Sequence, residues 1–130
     1  MLWNHEECLD YLEQIRWHGK PTCPYCGSTN GTAYKKEKRY HCNCCFTSYS
    51  VTVGTLFHKT RVDLQKWFWA IILVTESNGG IGVRELAREI SVDKNTAMNM
   101  IKRIAQAKLE DQEMLCRILQ AQHHIKPTSK

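Results

Sequence analysis

The stretch CPYCGSTNGTAYKKEKRYHCNCC, residues 23–45, contains two closely spaced pairs of cysteines. Each pair has the spacing C-x2-C, and fifteen residues separate the pairs, which is a strong pattern for a zinc site. A two-residue spacer lets one tight turn present two thiolates to the same ion, and zinc binds four ligands in a tetrahedron. Protein would fill all four positions, so the pattern predicts a structural zinc ion. The predicted ligands are Cys23, Cys26, Cys42 and Cys45.

Three cysteines remain outside this set. Cys44 could form a C-x-C pair with Cys42, but C-x2-C repeats the first pair, so Cys44 is expected to be a spare thiol. Cys8 and Cys116 lie on the apolar sides of predicted helices and are expected to pack there. Four unbound thiols are the alternative to the zinc site. Disulfides are not expected, since the chain lacks a secretory signal and a cytoplasmic location is the default.

The residues that follow the two pairs differ in kind. Gly27 follows Cys26, at a place where a turn often needs the positive φ that glycine adopts without strain. Phe46 takes the corresponding place after Cys45, and a bulky residue is disfavoured in that conformation. The second turn is therefore predicted to be less regular than the first.

The segments around the cysteines predict one helix and several short strands. Residues 3–16 have apolar side chains at helical spacing, and Asn4 followed by Glu7 is a partial capping box. Residues 22–53 are rich in turn formers and contain the β-like stretches GTAYKK, KRYHC and TSYSVTV, which predict small antiparallel strands. The zinc ion would substitute for a core that this segment cannot build by itself.

Beyond the cysteines the apolar pattern is helical. LQKWFWAIILVTES, residues 64–77, is apolar on most sides but too short to span a bilayer, which predicts a buried central helix with Asp63 as its cap. NGG at 78–80 is expected to end it through the conformational freedom of glycine. An amphipathic helix over 109–125 is expected to pack on this core, although pairing with a second copy is the alternative.

VRELAREISVDKNTAMNMIKRI, residues 83–104, is typical of a helix-turn-helix. It predicts helices over about 83–90 and 94–108, joined by SVD, with Asp93 as the N-cap of the second helix. Asparagines on that helix can pair with adenine, whereas its lysines and arginines suit phosphates. A plain helical hairpin with a solvated face is the alternative. The side chains expected to contact DNA are Lys94, Asn95, Thr96, Asn99, Lys102 and Arg103.

The net charge of +5 is unevenly distributed. Residues 1–15 carry four acids and no lysine or arginine, whereas residues 16–66 carry a net charge of +7 and residues 67–130 carry +2. A local basic excess favours a polyanion, most often nucleic acid, although a solubilising surface is the alternative. No apolar run is long enough to span a membrane. We expect a cytoplasmic, nucleoid-associated bacterial protein with no membrane partner.

The runs CPYCGS, YHCNCCFTSYSVTVGTLFHKTRVDLQKWFWAI and ELAREISVDKNTAMNMIKRI together resemble the N-terminal region of IS1595-type (ISXO2-like) insertion-sequence transposases. The resemblance covers about residues 5–108 and implies a zinc ribbon followed by a helix-turn-helix, with Cys44 in a spacer position. Such transposases continue into an RNase H-like domain whose acidic triad binds two metal ions. We find no such triad here, so no strand cleavage is expected from this chain alone.

The expected fold class is a small α+β protein: an N-terminal helix and zinc ribbon over residues 1–57, a three-helix helix-turn-helix over 58–108, and a C-terminal helix and tail over 109–130. The expected function is binding of double-stranded transposon-end DNA, with zinc as a structural cofactor. A separate catalytic subunit or a second copy is a possible partner. The alternatives are a stand-alone transcriptional regulator and a zinc-ribbon adaptor that binds proteins.

Overall fold

A computed structural model describes residues 3–34, 38–58, 60–78 and 80–121. It confirms the α+β class and groups the chain into two compact units, residues 4–60 and the residues from Arg61 onward. Within the described residues no helix is long and apolar enough to cross a membrane. The elements are α1 (His5–Trp17), β1 (Gly31–Ala33), β2 (Tyr40–Cys42), β3 (Ser48–Tyr49), α2 (Leu64–Glu76), α3 (Val83–Ile90), α4 (Lys94–Glu110) and α5 (Gln112–Gln120).

The first unit, which we call the ribbon, begins with α1. Its predicted capping box is confirmed: the Glu7 N–H donates to Asn4 Oδ1 at 2.8 Å, and the Asn4 N–H donates to Glu7 Oε1 at 3.0 Å. The three strands form an antiparallel sheet in the order β1-β2-β3. The Arg16 guanidinium connects α1 to the loop after β3 by donating to the carbonyls of Val51 and Val53 at 2.6 and 2.7 Å.

The strand register sorts the side chains of the sheet onto two faces, because neighbours along a strand point in opposite directions. Tyr40 is paired with Tyr49 across β2 and β3, and their rings stack at 5.6 Å. Both rings meet Trp17 of α1 edge-on at 5.7 Å, so this face packs against the helix. The other face carries the cross-strand row Thr32, His41 and Ser48.

The second unit is a helical core around α2, as the apolar pattern predicts. Seven residues of α2 are buried, and α3, α4 and α5 all contact it. The prediction that Asp63 caps this helix is wrong: Asp63 stands at the N-cap position, but its side chain makes no capping hydrogen bond. NGG does follow the end of α2, yet the left-handed φ of 54° belongs to Asn78, while Gly79 lies outside the described residues.

α3 and α4 are joined by a three-residue turn whose first residue, Ser91, has a left-handed φ of 59°. Asp93 caps α4 as predicted, because its Oδ1 accepts from the Thr96 N–H at 2.8 Å.

The predicted single helix over 109–125 is wrong in its bounds. α4 continues to Glu110, the helix breaks at Asp111, and α5 then packs on α2 and α4. Residues 122–125 of that prediction lie outside the described residues.

Candidate metal centre and nucleic-acid interface

The two cysteine turns share one backbone hydrogen bond and differ in the N–H group that points at the first sulfur. In the first, the Gly27 N–H donates to the Cys23 carbonyl at 2.9 Å and the Tyr25 N–H points at Cys23 Sγ at 3.4 Å. In the second, the Phe46 N–H donates to the Cys42 carbonyl at 2.9 Å and the Cys45 N–H points at Cys42 Sγ at 3.4 Å.

The second turn therefore keeps the backbone hydrogen bond of the first, although a bulky residue follows its second cysteine. Phe46 adopts a φ of 61° where Gly27 has 79°, so the bulky residue accepts the left-handed conformation that the turn requires. The hydrogen bonds around the turn hold the backbone there in spite of the side chain, and the strain is concentrated in one residue.

These turns bring the sulfurs of Cys23, Cys26, Cys42 and Cys45 within 4.8 Å of one another. Cys23 Sγ lies 3.6 Å from Cys45 Sγ, and Cys26 Sγ lies 3.5 Å from Cys42 Sγ. In a tetrahedron with Zn–S bonds of about 2.3 Å, the sulfurs stand about 3.8 Å apart. The spacing and the soft donor set both fit Zn²⁺, and four protein ligands make such a site structural.

The ionisation of these thiols is coupled because the sulfurs are close. Backbone N–H groups, first that of Cys45, lower the pKa of the Cys42 thiol to about 6, so this thiol is ionised at neutral pH. A backbone hydrogen bond at Ser28 lowers the pKa of Cys26, but the contact with Cys42 and burial outweigh it and raise that pKa to about 12. Further thiolates therefore need a compensating cation, which a divalent zinc ion supplies.

The remaining cysteines have three different environments. Cys44 is exposed and outside the four-sulfur cluster, with its Sγ 3.1 Å from Ser28 Oγ. Cys8 is fully buried, as expected for a packing residue, and burial raises the pKa of its thiol to about 12. The expectation that Cys116 packs is wrong, because this residue lies on the exposed side of α5 while Met114, Leu115 and Ile118 take the buried side.

The residues predicted to contact DNA lie along one helix, α4. Its buried side consists of Ala97, Met100, Ile104 and Ala107. Among the predicted contacts, two are half-buried, Thr96 and Arg103, and the others are exposed: Lys94, Asn95, Asn99 and Lys102. The structure thus turns the polar side of α4 away from the helical core.

Two basic residues near α4 have no signal in the sequence pattern. Arg61 and Lys66 line a shallow cavity of about 290 Å³ together with Thr96 of α4. Lys66 Nζ also donates to the Ser91 carbonyl at 3.2 Å, beside the turn that precedes α4. About thirty positions separate these residues from α4 along the chain, so only the packing of α2 beside the turn reveals their proximity.

Comparison with known proteins supports the zinc site and its family. Residues 4–48 match the transposase zinc-ribbon domain. The chain is also 32% identical over 107 residues to a Halobacterium salinarum protein described as an uncharacterized protein in transposable element ISH50. That alignment covers 80% of this chain and 36% of the relative, so the chain spans about a third of the relative's length. No solved structure matches this chain.

The matched region contains α1, the strands β1 and β2, the first residue of β3 and both cysteine turns, and it includes all four cysteines of the sulfur cluster. Residues 4–48 of this chain are therefore similar to a transposase zinc-ribbon domain in sequence and carry the four-cysteine cluster that such a domain needs for zinc.

Proposed function

We propose that this protein binds double-stranded DNA through the exposed face of α4, with α3 and α4 acting as a helix-turn-helix and zinc stabilising the ribbon. The DNA is the end of a transposable element. The observation that carries the proposal is the composition of α4, whose exposed side bears amides and cations. From Lys94 to Leu109 the sequence contains no aspartate or glutamate.

The start of α4 places a cation beside a capped helix N-terminus. Lys94 is the first helical residue, and the Asp93 carboxylate before it caps the helix by accepting from the Thr96 N–H. A DNA phosphate next to Lys94 would pair with this exposed cation.

The amides on α4 have the spacing that base reading requires. Asn95 and Asn99 are four residues apart, so they lie one above the other on the same side of the helix. Asparagine can bind adenine with two hydrogen bonds in the major groove. We assign base contacts to these residues and to Thr96, and phosphate contacts to Lys94, Lys102 and Arg103.

The choice of transposon-end DNA rests on the zinc-ribbon family and on the relative, whose description places it in a transposable element. A promoter-binding regulator would use the same chemistry on another sequence, and it is the second candidate. In the proposal this chain positions DNA in the bacterial cytoplasm, and a separate catalytic subunit cleaves it. Whether the chain acts as one copy or two does not affect the assignment of the contact residues.

Fluorescence anisotropy with a labelled duplex, measured over a range of salt, tests the DNA-binding surface. We expect affinity to fall steeply as salt rises, and Lys102→Ala to weaken binding and reduce the salt slope by about 1. Lys108→Ala is the matched control, because it removes an exposed cation from the same helix beyond the proposed contacts. Equal effects of the two substitutions would overturn the assignment to the first part of α4.

Footprinting separates the two candidate functions. Protection of the terminal repeats of the element supports the transposon-end reading. Protection confined to a promoter favours the regulator. An adaptor that binds proteins would show little salt-dependent DNA binding in the first experiment.

A further inference from the structure

The ribbon has one open sheet face. The row Thr32, His41 and Ser48 lies opposite the face that packs on α1. Tyr34, two residues after Thr32, extends over the sheet and its hydroxyl lies 2.7 Å from Ser48 Oγ. The Phe46 ring lies 6.3 Å from the His41 ring, centre to centre. We call the surface formed by Thr32, Tyr34, His41, Phe46 and Ser48 the open face.

Phe46 holds a strained backbone conformation at its position on the open face. It has a left-handed φ of 61°, which glycine adopts freely and a bulky residue adopts under strain. Gly27 fills the matching place in the first cysteine turn. The Phe46 side chain is 74% exposed, so its ring contributes little to a buried core. Folding alone would favour glycine here, and the strain indicates that the ring serves a contact outside the chain.

The ribbon keeps its described acids away from the open face. Its described acids lie on α1, which packs against the opposite face of the sheet: Asp10 pairs with Lys38 at 2.5 Å, and Glu13 accepts from the Tyr40 hydroxyl at 2.8 Å. Among the described residues, none on the open face is acidic. Between Gln14 and Asp63 the sequence has a single acid, Glu37, against eight lysines and arginines.

The side-chain types on the open face also indicate which class of ligand it binds. It combines exposed rings with hydroxyls, and Tyr34 is 41% exposed. Asn43 stands beside it, donating from Nδ2 to Thr32 Oγ1 at 3.1 Å. Exposed aromatic rings bind single strands by stacking on bases, since every base has a π face. Bases in a duplex are stacked on each other and offer only their edges.

We propose that the open face binds single-stranded DNA, with Phe46 and Tyr34 stacking on unpaired bases. This extends the proposed DNA binding to a second surface with a different substrate form, so that α4 holds duplex and the ribbon holds an adjoining unpaired segment.

Anisotropy of the zinc-loaded full chain with a labelled oligothymidylate and with a labelled duplex tests the inference. We expect Phe46→Gly to weaken oligothymidylate binding by roughly 5- to 150-fold, the range for one lost base stack, and to leave duplex binding unchanged. The same variant should unfold at an equal or higher temperature, because it relieves the strained φ. Phe46→Trp should retain single-strand binding, since its ring also stacks. Leu109→Ala is the matched control, because Leu109 is an exposed apolar residue, 86% accessible, on α4.

Unchanged oligothymidylate affinity in Phe46→Gly overturns the inference, and so does an equal loss for single strand and duplex. Failure of the wild-type chain to bind oligothymidylate, with duplex binding still dependent on Lys102, overturns the inference and leaves the proposed function standing. The reverse result, single-strand binding that depends on Phe46 without duplex binding, overturns the proposed function alone. Loss of a protein partner in Phe46→Gly, with single-strand binding intact, assigns the open face to protein and also overturns the inference.

Discussion

The two compact units of this chain reach stability by different routes. In the ribbon the strands have two or three residues each, and the rings of Trp17, Tyr40 and Tyr49 form a small cluster. In the helical unit α2 is buried on most sides, and Leu86, Met100 and Ile118 from three other helices are fully buried. The first unit depends on a metal for its cohesion, and the second depends on apolar packing.

The comparison explains how the ribbon can keep a surface that its own packing does not use. A metal bound by four thiolates fixes two turns at once, so the ribbon can leave one sheet face open and keep a strained Phe46. The helical unit has no such constraint and relies on burying its apolar side chains, which leaves its exposed side free to vary. Function in both units is proposed to lie on the surface that stability does not use.

The largest expected effect comes from Cys45→Ser, which removes one zinc ligand. We expect the ribbon to lose its bound zinc and unfold over residues 22–53, because structural zinc supplies most of the folding free energy of such domains. The helical unit should stay folded, since its core contains no metal ligand. Zinc content and a ¹⁵N–¹H NMR spectrum would show this as collapsed amide dispersion for ribbon residues and unchanged peaks for α2–α5.

Cys44→Ser is the matched control, because it removes the neighbouring thiol and leaves the four-sulfur cluster intact. It should retain one zinc ion per chain and a folded ribbon. If Cys44→Ser released zinc and Cys45→Ser did not, the assignment of the ligands would be wrong. If Cys45→Ser unfolded the whole chain, the two units would not be stabilised separately.

A smaller effect is expected from Gly31→Ala, on β1 beside the Tyr49 hydroxyl. A Cβ at residue 31 would lie 2.8 Å from the Tyr49 hydroxyl oxygen and 3.2 Å from the His41 carbonyl. We expect overpacking to cost about 1–3 kcal/mol in the free energy of unfolding of the zinc-loaded chain. Denaturation followed by the NMR signal of the Trp17 side chain, which contacts Tyr49, would measure it.

Tyr49→Phe turns this prediction into a double-mutant cycle. The Tyr49 hydroxyl is buried without a hydrogen-bond partner among the described residues, so Tyr49→Phe alone should be nearly neutral. In the double mutant the closest contact disappears and only the His41 carbonyl stays tight, so the cost of Gly31→Ala should fall by more than half. Additive effects would show that the backbone, and not the hydroxyl, limits the space at residue 31.

Local signals were the predictable part of this molecule. The spacing of the cysteines selects the four metal ligands, and Asn4 and Asp93 act as caps because capping depends on residues only three positions apart. Asp63 has the same residue type as Asp93 and also stands at an N-cap position, but it makes no capping hydrogen bond. The residue type alone does not decide whether a cap forms.

Features set by tertiary packing escaped prediction. The break at Asp111 falls inside a continuous apolar pattern without proline or glycine, and the packing of α5 on α2 and α4 accompanies it. The open face depends on the strand register, which places His41 between Thr32 and Ser48. The proximity of Arg61 and Lys66 to α4 is likewise a product of packing. None of these can be read from spacing along one segment.

The smallest expected effect compares two aspartates within the helical unit. Asp93→Ala removes the hydrogen bond that caps α4, so we expect a fall of a few degrees in the melting temperature of this unit. Asp63→Ala removes no capping bond and should change that temperature little.

Hydrogen bonds from the Thr96 side chain and backbone hold the pKa of Asp93 below its usual value of 3.8. The capping contribution is therefore present above that value and lost as pH falls through the lowered pKa, because protonation removes the charged acceptor. The melting temperatures of Asp93→Ala and the wild type should differ at neutral pH and converge only in acid. Those of Asp63→Ala and the wild type should stay close at both pH values. The stability of the ribbon should respond to neither change. Equal destabilisation by both substitutions at neutral pH would mean that α2 and α4 begin with equivalent caps.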